Sequence, residues 1–231
     1  MKLSLAQAQS SPPLAVLATD VVIFTWRDDR LLIRLIDVDR PPFFKNVPGL
    51  PGGLIHPEET AEESVRRVIE EKAGVRSQHV YLEQLYTFSA LDRDPRGRVI
   101  AVTYSAYIPW EKLSSQEQLD AKDVWWEPAS YKGKLAYDHR DVLGLALERL
   151  QARITYTTVI GKLLPSSFTL TQLEQAYQTI LGKELDKRNF RKKVDGLKLL
   201  SDTGRMTSGE RWRPAKLYRF KSHTIKTIQI I

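Results

Sequence analysis

The chain has 231 residues, 35 Lys and Arg against 28 Asp and Glu, no cysteine and 42% hydrophobic residues, enough for one large domain or two modest ones with a buried core. Without cysteine there can be no disulfide framework, no thiol nucleophile and no thiolate metal site such as a zinc finger. The net charge of +7 conceals a partition: residues 153–231 carry sixteen Lys/Arg against six Asp/Glu, +10, and residues 1–152 carry nineteen against twenty-two, −3.

Residues 1–13, MKLSLAQAQSSPP, lack the sustained apolar stretch of a signal peptide and read as a flexible N-terminus. No run approaches the roughly 18 apolar residues that cross a bilayer, so the expectation is a cytoplasmic protein without a membrane partner. Residues 14–39 predict two strands, LAVLATDVVIFTW and LLIRLIDVD, joined by the polar turn Arg27-Asp28-Asp29-Arg30. The Pro/Gly-dense PPFFKNVPGLPGG is expected to be loop, because Pro41, Pro42, Pro48 and Pro51 interrupt a ladder or a helix. From Glu58 to Lys72 the residues Ala61, Val65, Val68 and Ile69 recur at helical spacing, and Gly74 sits where a C-terminal cap belongs.

Two further strands, QHVYLEQLYTFSA and RVIAVTYSAYI, flank the turn Asp92-Arg93-Asp94-Pro95-Arg96-Gly97. A helix is expected from near Asp138 through Leu150, its Asp138…Asp141 opening resembling a capping arrangement. Together these elements make an α+β domain over residues 14–152. In residues 153–231, Thr171-x-x-Glu174 has the form of a capping box opening LTQLEQAYQTILG, with Gly182 closing that helix. Asp186 can cap a second helix, KRNFRKKVDGLKLL, with Phe190, Val194 and Leu197 as its apolar stripe. The remainder reads as a hairpin with a basic tip, returning on Lys216 to Lys221, so the layout is a winged helix-turn-helix.

Gly53, Glu59, Arg67, Glu71, Gly74 and Val75 fall at offsets 0, 6, 14, 18, 21 and 22. This spacing resembles the Nudix box, Gly-x5-Glu-x7-Arg-Glu-U-x-Glu-Glu-x-Gly-U, with Ile69 at the first apolar U position. The resemblance implies a Nudix-like α/β/α sandwich with a mixed sheet, in which helix carboxylates hold a divalent metal beside a diphosphate. Two of those carboxylates are replaced, one by Val68 and the other by Lys72, and only Glu71 remains. Loss of one ligand to an apolar side chain and another to a cation predicts a retained scaffold with no catalytic residue, no metal and no required cofactor. The competing reading is an active ADP-ribose pyrophosphatase that assembles a metal site from Glu70, Glu71 and Glu58 or Glu59.

Downstream, Tyr86 and Phe88 with Arg93, Arg96 and Arg98 put aromatic faces and guanidinium groups near one hairpin. Such groups can stack on a base and grip a diphosphate. With Gly52, Gly53 and Glu71 they form the candidate effector site. On the second basic helix, Arg188, Asn189 and Arg191 are candidates for base contacts, and Lys187, Lys192 and Lys193 for phosphate contacts. The wing adds Arg205, Arg211, Arg213 and Lys216.

A degenerate Nudix domain followed by a basic winged helix resembles the NrtR family of Nudix-related regulators of NAD metabolism. The resemblance covers the LPGG loop, the altered box, YTF…RDPRGR, Tyr137-Asp138-His139, Phe168-Thr169-Leu170-Thr171 and Asn189-Phe190-Arg191-Lys192. It implies a homodimeric repressor on double-stranded operator DNA, released by ADP-ribose, and it adds Thr169 and Thr171 to the expected DNA contacts. Relatives of this architecture that respond to sugars keep a second effector class open. His139 reads as a buried, hydrogen-bonded histidine near a helix N-terminus.

Overall fold

The computed structural model describes residues 14–207 and 214–228. Strand β1 (Val16–Arg27) turns through Asp28 and Asp29, both at positive φ, into the antiparallel β2 (Arg30–Arg40). Positive φ at both central residues is the type I′ geometry whose twist suits a two-residue hairpin. Successive side chains of β1 face opposite ways, so Val21 and Ile23 enter one apolar cluster while Val22 and Phe24 enter another. Burial on both faces explains the nearly unbroken apolar run.

The Pro/Gly-dense segment is not all loop, contrary to expectation: it contains β3 (Phe44–Gly49) and the short β4 (Gly52–Leu54). Pro48 lies opposite Asp37 on β3, the outermost strand, where a missing N–H need not break a ladder. Helix α1 (Ala61–Glu71) starts three residues later than the periodicity suggests. Thr60 accepts from the Glu63 N–H, and the Glu63 carboxylate returns to the Thr60 N–H, a capping box worth about 1 kcal/mol. Glu58 and Glu59 therefore sit in the preceding loop, and Gly74, at φ +64°, follows the helix where an L side chain would be strained.

Strands β5 (Tyr81–Phe88) and β6 (Val99–Tyr107) pair antiparallel, and β6 runs parallel to β1. After the single-turn α2 (Ser115–Gln118), β7 (Val124–Pro128) adds to β2. The mixed sheet has the order β3-β2-β1-β6-β5, with β4 on β1 and β7 on β2. One face packs on Val65, Val68 and Ile69 of α1, the other on Val142, Leu143 and Ala146 of α3 (His139–Tyr156). This is an α/β/α sandwich.

Two expectations about α3 are corrected. Asp138 precedes the helix but makes no side-chain cap, because its carboxylate is committed to Arg93. The helix also continues to Tyr156, so a boundary at 152/153 falls inside it. The stretch 151–164 that joins the two units is helix followed by a 3-10 turn, with Val159, Ile160, Leu163 and Leu164 buried.

The second unit comprises α4 (Leu170–Leu181), α5 (Lys187–Gly196) and the hairpin β8 (Leu200–Met206) to β9 (Lys216–Phe220). The capping box of α4 is Thr169 with Gln172, not Thr171 with Glu174. Gly182 closes α4 at φ +64°, and Asp186 caps α5 by accepting from the Asn189 N–H. One apolar cluster extends from Val22 and Phe24 through Leu150, Ile154 and Val159 to Leu173, Tyr177 and Phe190. No helix among the described residues is long and apolar enough to cross a membrane.

Candidate functional site

A cavity of about 380 Å³ opens between Gly52 and Gly53 of β4, the end of β2 (Asp37 to Arg40), the loop Arg93 to Arg96, and Tyr137 and His139 at the start of α3. Gly52 is sterically required, and Gly53 is closely packed. A Cβ on Gly52 would lie 2.1 Å from Asp20 Oδ1 and 3.1 Å from the Thr19 carbonyl, and one on Gly53 would lie 3.3 Å from Lys72 Nζ.

The donor set on α1 does not fit a divalent metal, which needs several converging oxygens. Val68 is fully buried in the core, and Lys72 donates its ammonium to the Gly52 carbonyl. Glu70 turns away to accept from the Ser77 hydroxyl and N–H, at 2.6 and 3.2 Å. Glu71 is exposed and pairs with Arg67 at 3.5 Å, while Glu59 receives Arg67 Nε at 2.9 Å. Among the described residues no three His, Asp or Glu gather as a metal site. Burial, and then the neighbouring Arg40 and Arg67, lowers the pKa of Lys72 below that of an ordinary lysine.

Behind the cavity lies a charged network. Arg93 is buried and binds Asp138 through two hydrogen bonds of 2.8 Å and Asp20 through one of 2.9 Å. Burial alone would raise the pKa of Asp20, but the His139 ring and the Arg93 guanidinium beside it hold it below the usual carboxylate range. His139 is 3% exposed, as a buried histidine was expected to be, and its Nδ1 accepts from the Leu50 N–H at 2.9 Å. That leaves Nε2 facing Asp20 Oδ1 at 3.7 Å.

Arg96 is drawn onto Asp94, Nη2 to Oδ2 2.7 Å, and its guanidinium lies 5.4 Å from the centre of the Tyr137 ring. Of the residues expected at an effector site, Gly52, Gly53, Arg93 and Arg96 line the cavity, whereas Glu71, Tyr86, Phe88 and Arg98 do not. Tyr86 is exposed and edge-on to Phe88, and Arg98 donates to the carbonyls of Ser89 and Ala90. Asp20, Arg40, Lys72 and Tyr137 line the cavity without having been expected there. A lone acid in the apolar run of β1 was the one available signal for Asp20, since a buried carboxylate needs a partner.

A second surface is basic. Lys187, Arg188, Asn189, Arg191, Lys192 and Lys193 are all exposed on α5, opposite the buried Phe190 and Val194. Arg191 donates to Thr171 Oγ1 at 3.2 Å, and its Nε lies 3.7 Å from the buried Glu174. Lys187 Nζ lies 3.9 Å from the same carboxylate. Thr169 is buried, its hydroxyl used in the cap of α4, whereas Thr171 is exposed. On the hairpin Arg205 is exposed and Lys216 pairs with Asp202 at 3.0 Å. Arg211 and Arg213 lie outside the described residues.

Residues 16–145 match the NUDIX domain family and residues 160–220 the NrtR DNA-binding winged helix domain family. The ADPR responsive transcriptional repressor NtrR of Acinetobacter baylyi is 34% identical over 220 residues, 94% of this chain and 86% of that protein. The crystal structure of Shewanella oneidensis NrtR complexed with a 27mer DNA superposes with a TM-score of 0.78 at 36% identity, covering 89% of this chain and 93% of that one. The Nudix domain of the same Shewanella protein, complexed with ADP ribose, superposes with a TM-score of 0.52 at 31% identity, covering 64% of this chain and 99% of that one.

Proposed function

The chain belongs to the NrtR family, a Nudix domain joined to an NrtR winged helix domain, and from that premise we propose that it is a transcriptional repressor controlled by ADP-ribose. As a homodimer in the cytoplasm it holds near-palindromic operator DNA through α5 and the β8–β9 wing. It lets go when ADP-ribose fills the Nudix cavity. Genes of NAD biosynthesis and salvage are the proposed targets.

One observation carries this reading: the cavity is mechanically joined to the DNA-facing unit. Arg93 in the cavity wall is tied to Asp138 at the start of α3. That helix runs unbroken to Tyr156, and Gln151 on it donates to the Ile180 carbonyl of α4 at 2.9 Å. A ligand releases DNA only if it binds the released conformation more tightly, and DNA must then weaken the ligand by the same factor. A shift at the head of α3 is the proposed two-state element. Two α5 helices in a dimer engage half-sites about 10 bp apart, or a multiple of that spacing.

ADP-ribose suits the cavity through its diphosphate, which Lys72 and the rim Arg40 can receive while Arg93 and Arg96 offset the lining acids, and through an aromatic face at Tyr137. A neutral sugar would use few of these cations. The ligand is bound and not cleaved, because the carboxylates that would organise a metal are committed elsewhere. A mobility-shift assay on near-palindromic DNA from the protein's own promoter region tests the switch. ADP-ribose is expected to dissolve the complex, and a complex indifferent to it overturns this reading. AMP release from ADP-ribose and Mn²⁺ at enzyme-like rates would favour the hydrolase instead.

A further inference from the structure

The residues of α1 do not fit a divalent cation, and Lys72, just after the helix, presents a positive side chain to the glycines of β4. We propose that the Lys72 ammonium is a tethered replacement for that cation, receiving the diphosphate of the ligand so that binding needs no Mg²⁺ or Mn²⁺. The proposal rests on the cavity being a nucleotide-effector site, and it adds which group holds the diphosphate.

Four cations line the cavity, and three are already compensated or peripheral. Arg93 is compensated by the carboxylates of Asp20 and Asp138. Arg96 is held through three hydrogen bonds by the Asp94 carboxylate. Arg40 is exposed at the rim, its Nη1 on the Asp39 carbonyl. Lys72 differs: its ammonium donates to the Gly52 carbonyl, and among the described residues no carboxylate approaches within the 4.0 Å of an ion pair.

An ammonium has three donors, so two remain for a ligand. A partly buried cation whose nearest acids, Asp20 and Glu71, stay beyond ion-pair distance is costly, and an incoming dianion relieves that cost. The approach is open because β4 carries no side chain at Gly52 and Gly53, a Cβ on Gly53 lying 3.3 Å from Nζ. Val68 offers no alternative ligand: its γ-methyl would lie 3.1 Å from that same Cβ, so an apolar group stands where the box pattern has a carboxylate. Lysine binds phosphate as a point charge and needs none of the octahedral order that Mg²⁺ demands.

The test is calorimetry of the full chain with ADP-ribose, in EDTA and in Mg²⁺, for the unaltered protein, Lys72→Met and Lys72→Arg. Equal affinity in both buffers is expected for the unaltered protein. Lys72→Met should weaken binding on the order of ten- to a hundredfold, the loss of a charge-assisted contact, and Lys72→Arg should retain most of it. Binding abolished by EDTA, or Lys72→Met binding as tightly as the unaltered protein, overturns the proposal. Should Lys72→Met not fold, the EDTA comparison on the unaltered chain decides.

If ADP-ribose gives no heat in either buffer, the effector reading fails by itself, and thermal protection by inorganic pyrophosphate in EDTA then decides the role of Lys72. Protection of the unaltered chain that is missing in Lys72→Met supports it. No protection, or equal protection, overturns it.

Discussion

Arg93 and Asp138 face each other as a bidentate pair, Nε to Oδ2 and Nη2 to Oδ1 both at 2.8 Å, so the first turn of α3 is bolted to the cavity wall. The same Nη2 reaches Asp20 Oδ2 at 2.9 Å, and one buried guanidinium thereby compensates two carboxylates. Replacing Arg93 with Met leaves both acids without their cation. Breaking a buried pair from one side costs about 3–5 kcal/mol, so Arg93→Met is expected to lower the urea midpoint strongly. A midpoint shifted by only a few tenths of a molar would show that the network carries little stability. Where the variant still binds operator DNA, its response to ADP-ribose is expected to be weakened.

The same network sets the acid limit. Burial favours the neutral form of Asp20, while His139 and Arg93 outweigh it and keep the folded-state pKa below the unfolded one. A carboxylate lowered in this way contributes stability that is complete above its unfolded pKa and is lost as pH falls through the folded value. Without Arg93 the burial effect gains ground and the Asp20 pKa rises. The acid-unfolding midpoint of Arg93→Met, followed by far-ultraviolet circular dichroism, should therefore move to higher pH. An unchanged acid midpoint would mean that Asp20 is held by His139 alone.

Much of this arrangement was legible in the residues, because it is written in short-range patterns. Apolar, β-branched runs on either side of a polar turn exposed β1 and β2, the box spacing placed α1 after a glycine pair, and the +10 of residues 153–231 collected on α5 and the wing. What escaped depended on contacts distant in sequence. The edge position of β3 makes Pro48 tolerable, and only the pairing with β2 reveals that edge. Arg93 looked like a free phosphate ligand because Asp20, 73 positions away, and Asp138, 45 away, were not visible as its partners. Tyr86 and Phe88 were favoured as stacking faces by proximity along the chain, whereas Tyr137 is the aromatic residue that reaches the cavity.

The shared core makes a prediction about cooperativity. Ile154 and Val159 join the sheet-facing residues Val22 and Phe24 to Leu173, Tyr177 and Phe190 in one apolar cluster. Thr179 Oγ1 also donates to the Asp29 carbonyl of the β1–β2 turn, at 3.4 Å. Two units packed through one core should melt together, so calorimetry is expected to give a single transition with matching calorimetric and van't Hoff enthalpies. Ile154→Ala, at a cost of about 2–5 kcal/mol, should lower that one transition as a whole. Two resolved transitions in the unaltered protein would show the units to be independent.

Side-chain partners on α5 separate two roles in DNA binding. Glu174 is 2% exposed, and its Oε2 has no hydrogen-bond partner although Arg191 stands 3.7 Å away and Lys187 lies near the other oxygen. That acid, with Thr171, holds Arg191 against α4, which preorganises the guanidinium. Among the described residues the side chains of Arg188, Asn189, Lys192 and Lys193 have no ion-pair or hydrogen-bond partner, and all four face solvent. Arg and Asn pair bidentately with guanine and adenine, whereas lysines act as point charges on phosphates. Arg188→Ala or Asn189→Ala is therefore expected to cost about 1–3 kcal/mol on operator DNA and to narrow its margin over unrelated DNA. Lys192→Ala should weaken both DNAs alike and reduce the slope of log K against log salt by about 1. Titrations at four salt concentrations on operator and scrambled duplexes separate the two. If Lys192→Ala leaves the slope unchanged while Arg188→Ala weakens both duplexes equally, the assignment of base and phosphate contacts along α5 is reversed.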